Sequence, residues 1–271
     1  MRYPAVAGRF YPLERENLLY SIERCFEHEL GPGLPGGAGS SRRILGAMSP
    51  HAGYMCSGMV AAHTYKAIKE DGLPEAYVVI GPDHYGLSPG ITMCTDGYLT
   101  PLGECPCPME IAEKLSGKVP DIPMAHAKEH SVEVEVPFIQ YIDPDAKVLP
   151  IVMGDQSLHA ARLLADALKD ACRGHDVVVI ASTDMSHYIP KKAAERLDGM
   201  ALDRVAAMDA EGLYRTVREN RITMCGYGPT VTAMLFADGA EARVLKHADS
   251  YDSLGMDSDA VVGYASAVFS L

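Results

Sequence analysis

No segment of the sequence approaches the ~20 consecutive apolar residues that a membrane-spanning helix requires. The opening stretch, MRYPAVAGRFYPLERENL, also lacks an apolar run of signal-peptide length, because Arg9, Glu14 and Arg15 interrupt it. Basic residues are in deficit: 24 Lys and Arg stand against 36 Asp and Glu, a net charge of −12. That balance argues against a nucleic acid or an anionic membrane surface as partner, and leaves small molecules, metals and other proteins. There is no P-loop, no dinucleotide fingerprint after the first strand, no nucleophile elbow and no HExxH pair. Internal repeats are absent. The seven cysteines are odd in number and scattered, so they form no disulfide framework and point to a reducing, cytoplasmic setting. Cys105-Pro106-Cys107 has no second CxxC pair to complete a zinc site and is read as structural.

What is present suits a globular protein: 48% hydrophobic and 22% charged residues over 271 positions. A chain of this size folds to roughly 11,500 Å² of surface from roughly 42,000 Å² unfolded, so it needs no metal or disulfide merely to hold a core. A Gly/Pro-rich segment, 31–41 (GPGLPGGAGSS), reads as a flexible loop, too short and too early to separate domains. Beyond it, strand-like and helix-like patterns alternate. Short apolar runs at 44–48, 76–80, 148–153 and 177–181 suit strands buried on both faces. Helical patterns cover 14–30, 57–71 with Ser57 as cap, 108–115, 131–141, 158–172, 191–208, 211–220 and 229–237. Asp96-Gly97 lies between two β-prone runs and signals a hairpin, and strands at 242–247 and 260–269 close the chain. The expectation is one α/β domain over 1–271, with a largely parallel central sheet, helices on both faces and antiparallel terminal strands.

The chemistry-bearing residues follow the apolar strands. After the run at 44–48 comes SPHAGY with His51, after 76–80 comes GPDHYG with His84, and after 177–181 comes STDMSHY with Asp184 and His187. His51 and His84 are separated by about one βαβ unit, so both would emerge at the carboxyl edge of the sheet, where open α/β folds bind ligands. Converging neutral imidazoles suggest a metal. Asp83 could orient His84 or simply form the turn after Gly-Pro. In EHSVEVE, His130 and Glu133 would share a helix face as an acid/base pair or extra ligands; equally, the acidic residues could complement a helix N-terminus with Ser131 as cap. Cys225 lies in MCGYGP, just before a helix whose amino end would favour a thiolate, either as ligand or nucleophile. A small buried residue on a Gly-rich turn is the plainer reading of the same spacing.

In this order the motifs PAVAGRFYP, SPHAGY, GPDHYG, EHSVEVEVPF, STDMSHY, MCGYGP and SYDSLGMDSDAVVGYASAVF run through nearly the whole chain. Here the sequence resembles the Memo family, whose members are similar in fold to class III extradiol (LigB-like) non-haem iron dioxygenases. The resemblance implies a LigB-like domain in which His51, His84 and Cys225 face a metal. His130 and His187 would act in proton transfer, and Asp184 would stand beside the metal site. The dioxygenases use two His and a Glu; the softer sulfur at Cys225 shifts preference towards copper or zinc and away from ordinary catechol cleavage. The implied activity is a metal-dependent oxidoreductase using iron or copper. Alternatives are a zinc hydrolase with Glu133 or Asp184 as base, or a non-catalytic metal- or peptide-binding module. A small molecule or peptide would occupy the metal cleft, and a radical-SAM enzyme is the implied pathway partner.

Overall fold

The computed structural model describes residues 1–255 and 257–271, so Met256 of the terminal motif lies outside the described residues. The strands are β1 (Ile44–Ser49), β2 (Ala76–Pro82), β3 (Ile91–Met93), β4 (Tyr98–Thr100), β5 (Gly103–Cys105) and β6 (Val148–Met153). They continue as β7 (Val177–Ser182), β8 (His187–Ile189), β9 (Glu241–Asp249) and β10 (Val261–Ser270). The helices are α1 (Arg15–Glu27), α2 (Tyr54–Asp71), α3 (Met109–Leu115), α4 (Pro123–His126) and α5 (Glu135–Ile142). After them come α6 (Leu158–Ala171), α7 (Lys191–Ala206), α8 (Ala210–Glu219), α9 (Tyr227–Phe236) and α10 (Ser250–Leu254). None of these helices is long and apolar enough to cross a membrane.

The main sheet runs β3-β6-β2-β7-β1-β10-β8, with β9 paired to β10. Its middle, β6-β2-β7-β1, is parallel, and β10 joins β1, β8 and β9 antiparallel. Apolar residues fill both faces of the parallel strands because helices cover both. Tyr77, Val79, Val178 and Ile180 pack with residues of α1, α2 and α5; Val78, Ile80, Val179 and Ala181 pack with residues of α3, α6, α8 and α9. On the first face Phe138 of α5 stacks on Tyr65 of α2 at 5.1 Å and meets Phe26 of α1 edge-on at 6.0 Å.

Several local expectations are corrected. The α2 helix starts at Tyr54, and Ser57 lies inside it with its hydroxyl donating to Ala52 O rather than capping. The Asp96-Gly97 turn does not join a hairpin: β3 pairs with β6, while the hairpin is β4–β5. Helix α5 begins only at Glu135, because residues 131–134 form turns whose side chains are claimed by distant partners. The Gly/Pro-rich segment lies along the last turns of α2. Gly39 N–H donates to Lys69 O at 2.9 Å, and a Cβ at Gly39 would stand 1.9 Å from Glu70 O, so only glycine permits the approach.

The N-terminal arm is fastened from below. Arg2 Nη1 donates to Glu133 Oε2 at 2.7 Å, Nη2 to Glu129 O at 2.7 Å and Nε to His126 O at 2.7 Å. The same buried Glu133 carboxylate accepts from Ala5 N–H, Val6 N–H and the Tyr11 hydroxyl. Removing one partner of a buried ion pair costs about 3–5 kcal/mol, because the other charge stays behind in low dielectric. Arg2→Ala is therefore expected to lower unfolding free energy by about 3 kcal/mol or more, read as a fall in urea midpoint at unchanged m. A loss below about 1 kcal/mol would show that the remaining donors suffice for Glu133.

Candidate metal centre

Parallel pairing sets Ser49 of β1 level with Ser182 of β7, and Ile80 of β2 level with Ala181. His51 lies two residues past Ser49, His84 two past Pro82 and Asp184 two past Ser182. Three strand ends thus deliver their polar residues to one spot. Cys225 arrives from the turn before α9, and Gly226 makes that possible: a Cβ there would stand 2.4 Å from Ser182 O. Cys225 N–H donates to Asp184 O at 3.2 Å, and Gln156 grips the turn, its Nε2 donating to Cys225 O at 2.8 Å and its Oε1 accepting from Gly228 N–H at 2.9 Å.

His51, His84 and Cys225 each present a nitrogen or sulfur atom, all within 4.8 Å of one another. Cys225 Sγ lies 3.4 Å from His51 Nε2. His51 is buried, its Nδ1 bonded to Ser182 Oγ at 2.7 Å and its backbone N–H donating to Asp184 Oδ1 at 2.9 Å. Burial, reinforced by the neighbouring His84, His130 and His187, holds its pKa well below the ordinary range, so the ring is neutral. His84 is more open; its Nδ1 and backbone N–H both engage the buried Glu129 carboxylate, at 2.8 and 2.7 Å. Burial pulls the His84 pKa down, but the bond to Glu129 and its charge more than offset this and the net shift is upward. Both imidazoles therefore have Nδ1 fixed by a protein oxygen, as metal-binding histidines usually do, and Nε2 of His51 faces Cys225 Sγ. The donor set fits a borderline or soft cation.

At Cys225 the surroundings oppose ionisation in the absence of a cation. Burial and then the Asp184 carboxylate push the thiol well above its ordinary pKa, despite the Asp184 N–H at 3.2 Å from the sulfur. A cation at this point would have to displace the proton, since metals bind the thiolate. Asp184 is itself raised to about 6, chiefly by burial.

His130 stacks on His84 with ring centroids 4.4 Å apart and meets Phe10 at a tilt of 59°, centroids 4.9 Å apart. Among the described residues its buried Nδ1 has no hydrogen-bond partner, Glu129 Oε1 being 3.6 Å away, and burial followed by His84 lowers its pKa to about 4. His187 is anchored at the same edge, Nδ1 lying 2.8 Å from Thr223 O. Glu133 is not beside His130 in function: it belongs to Arg2 and the N-terminal arm. Asp83 forms the turn, accepting from the N–H groups of Tyr85, Gly86 and Ser88. The orienting role it was offered is filled by Glu129, which sequence reasoning passed over. Its only signal was adjacency to His130, and its contact with His84 spans 45 residues. Ser182 and Gln156 were likewise missed, having no distinctive spacing.

Residues 2–268 match the family model described as Memo-like protein. The MEMO1 family protein MTH_45 of Methanothermobacter thermautotrophicus is 44% identical over 274 residues, covering 98% of this chain and 99% of its own. The MEMO1 family protein MK0963 of Methanopyrus kandleri is 43% identical over 279 residues, covering 99% and 98%. Among solved structures, uncharacterized protein JW3007 from Escherichia coli K12 is similar in fold, with TM-score 0.50, 13% identity, and coverage of 82% of this chain and 99% of that one.

The His84–Glu129 pair has a defined pH window. Glu129 is shifted from 4.5 to about 2: burial raises it, but the bonds from His84 and the backbone lower it further. Its contribution is full above pH 4.5 and is lost as pH falls through about 2. The His84 contribution is full below 6.5 and is lost as pH rises through the elevated folded value. Glu129→Gln should therefore destabilise the metal-free protein most between those two limits, and should lower the His84 pKa seen by NMR. A stability difference that is flat across acid and alkaline pH would contradict this pairing.

Proposed function

The chain belongs to the Memo family, and from that membership and the geometry of the site we propose that it is a metal-dependent oxidoreductase binding iron or copper through His51, His84 and Cys225. The observation that carries the reading is the convergence of these three donors, with the outer nitrogens of both histidines held by Ser182 and Glu129. A redox-active ion bound there would supply electron transfer to or from a small molecule or peptide in the cleft.

The protein's own residues have assignable tasks. Glu129 and Ser182 orient the imidazoles. His130, neutral at pH 7 and stacked on His84, can take up a proton, and the unpartnered Nδ1 leaves it free to do so. Asp184 holds the His51 backbone in place and, with a carboxyl near 6, can exchange a proton close to neutrality. His187, positioned by Thr223, would carry protons between this point and solvent. The zinc hydrolase reading keeps Asp184 alone as base, because Glu133 is held by Arg2.

Anaerobic purification followed by metal analysis and absorption spectroscopy tests the proposal. Expected are stoichiometric iron or copper and a thiolate-to-metal charge-transfer band that Cys225→Ser abolishes. Zinc as purified with oxygen-insensitive turnover would transfer the assignment to a hydrolase. Failure to take up any metal on reconstitution would overturn metal binding itself, and metal binding without turnover would mark a binding module that works with a partner such as a radical-SAM enzyme.

A further inference from the structure

Beneath His51 lies a fully buried polar group that the proposed chemistry does not use. Glu135, the first residue of α5, is 0% exposed. Its Oε2 is the hydrogen-bond partner of the Tyr65 hydroxyl and of Ser49 Oγ at 2.9 Å. Its Oε1 lies 2.9 Å from Ser182 Oγ. Ser182 Oγ in turn lies 2.6 Å from Ser131 O and 2.7 Å from His51 Nδ1.

The protons here can be counted. A hydroxyl has one proton to donate and two lone pairs with which to accept. Ser131 O is a carbonyl and can only accept, and among the described residues no backbone N–H reaches it. It is buried, so leaving it without a donor is costly, and the contact to Ser182 is the shortest of the three. Ser182 therefore gives its single proton to Ser131 O. The other two contacts must then be donated to Ser182: one from His51 Nδ1–H, the other from the carboxyl of Glu135. Tyr65 and Ser49 both donate to Oε2, which places the carboxyl proton on Oε1.

We propose that Glu135 is a neutral carboxylic acid which donates to Ser182, and that this saturated hydroxyl fixes His51 as the Nδ1–H tautomer with a bare Nε2 facing Cys225. Burial works in the same direction: it raises the carboxyl to about 8 even against the lowering effect of the Tyr65, Ser49 and Ser182 hydroxyls. Glu135 is thus a positioning residue, acting on His51 through Ser182. Its value for metal binding rests on the function proposed above, whereas the placement of the protons does not.

Two measurements on the metal-free protein decide the proton count. The infrared difference between wild type and Glu135→Gln at pH 7 should contain the carbonyl stretch of a protonated carboxyl. Carboxylate bands in its place would overturn the proposal. Nitrogen-15 NMR of labelled histidines should find His51 as the Nδ1–H tautomer in wild type and in Glu135→Gln, whose amide N–H₂ can replace the acid proton. It should find that tautomer lost in Ser182→Ala. A His51 Nε2–H tautomer in wild type would overturn it. Titration with Fe²⁺ alone then reads the consequence: Glu135→Gln should bind as wild type, and Glu135→Leu and Ser182→Ala should bind about 10–100-fold more weakly. Equal affinity in all four proteins would refute the positioning role. Absence of Fe²⁺ binding to wild type would instead refute the metal assignment, with the infrared and NMR results still standing on their own.

Discussion

Strands that pair in parallel point the same way, so whatever follows each of them emerges at a common edge of the sheet. In this protein β1, β7 and β2 are neighbours in that arrangement, level to within a residue at their carboxyl ends. The level ends place His51, Asp184 and His84 at equal distance beyond the last strand residue. Nothing about the individual loops would bring them together if the register of one strand slipped, because each side chain would then project to the other face. The apolar runs that hold this register, buried against helices on both sides, are therefore also what assembles the site.

A site made this way has polar groups standing directly on an apolar core, and each of them needs a partner. Glu129, Glu133 and Glu135 come from one short segment and solve three separate problems. Glu133 neutralises Arg2 and ties the N-terminal arm; Glu129 holds His84; Glu135 lies with Ser49, Tyr65 and Ser182 below His51. The segment can do this because it is not helical before Glu135. In a helix, residues two apart face different directions and all would start from one axis, whereas the turns at 131–134 let the carboxyls reach separate partners. Gly81 admits the segment to the strand ends, since a Cβ there would stand 2.1 Å from Ser131 Oγ.

The parts legible in the sequence were those governed by local pattern. Apolar runs of strand length located β1, β2, β6 and β7 closely, and the helical pattern at 158–172 located α6, which in the structure Ser157 caps by accepting from Ala160 N–H. The histidines after β1 and β2 could be placed at one edge because the length of a βαβ unit is predictable. Cys225 could not be placed by spacing: it reaches the centre from the far side of the chain, through a turn that Gly226 and Gln156 shape. The helix expected at 131–141 failed in its first turn because tertiary hydrogen bonds to Glu133 and Ser131 outweigh its modest local preference.

By itself the sequence determined the alternation of buried strands and amphipathic helices, and with it a sheet edge bearing His51, His84 and Asp184. It also carried the motif order that marks the family. Only the tertiary structure decided which carboxylate serves which partner: Glu129 for His84, Glu133 for Arg2 and Glu135 for Ser182. The reason is physical. Periodicity records which face of an element avoids water, and that is a property of neighbouring residues. The partner of a buried charge is set by which groups the whole fold brings within 3 Å of it.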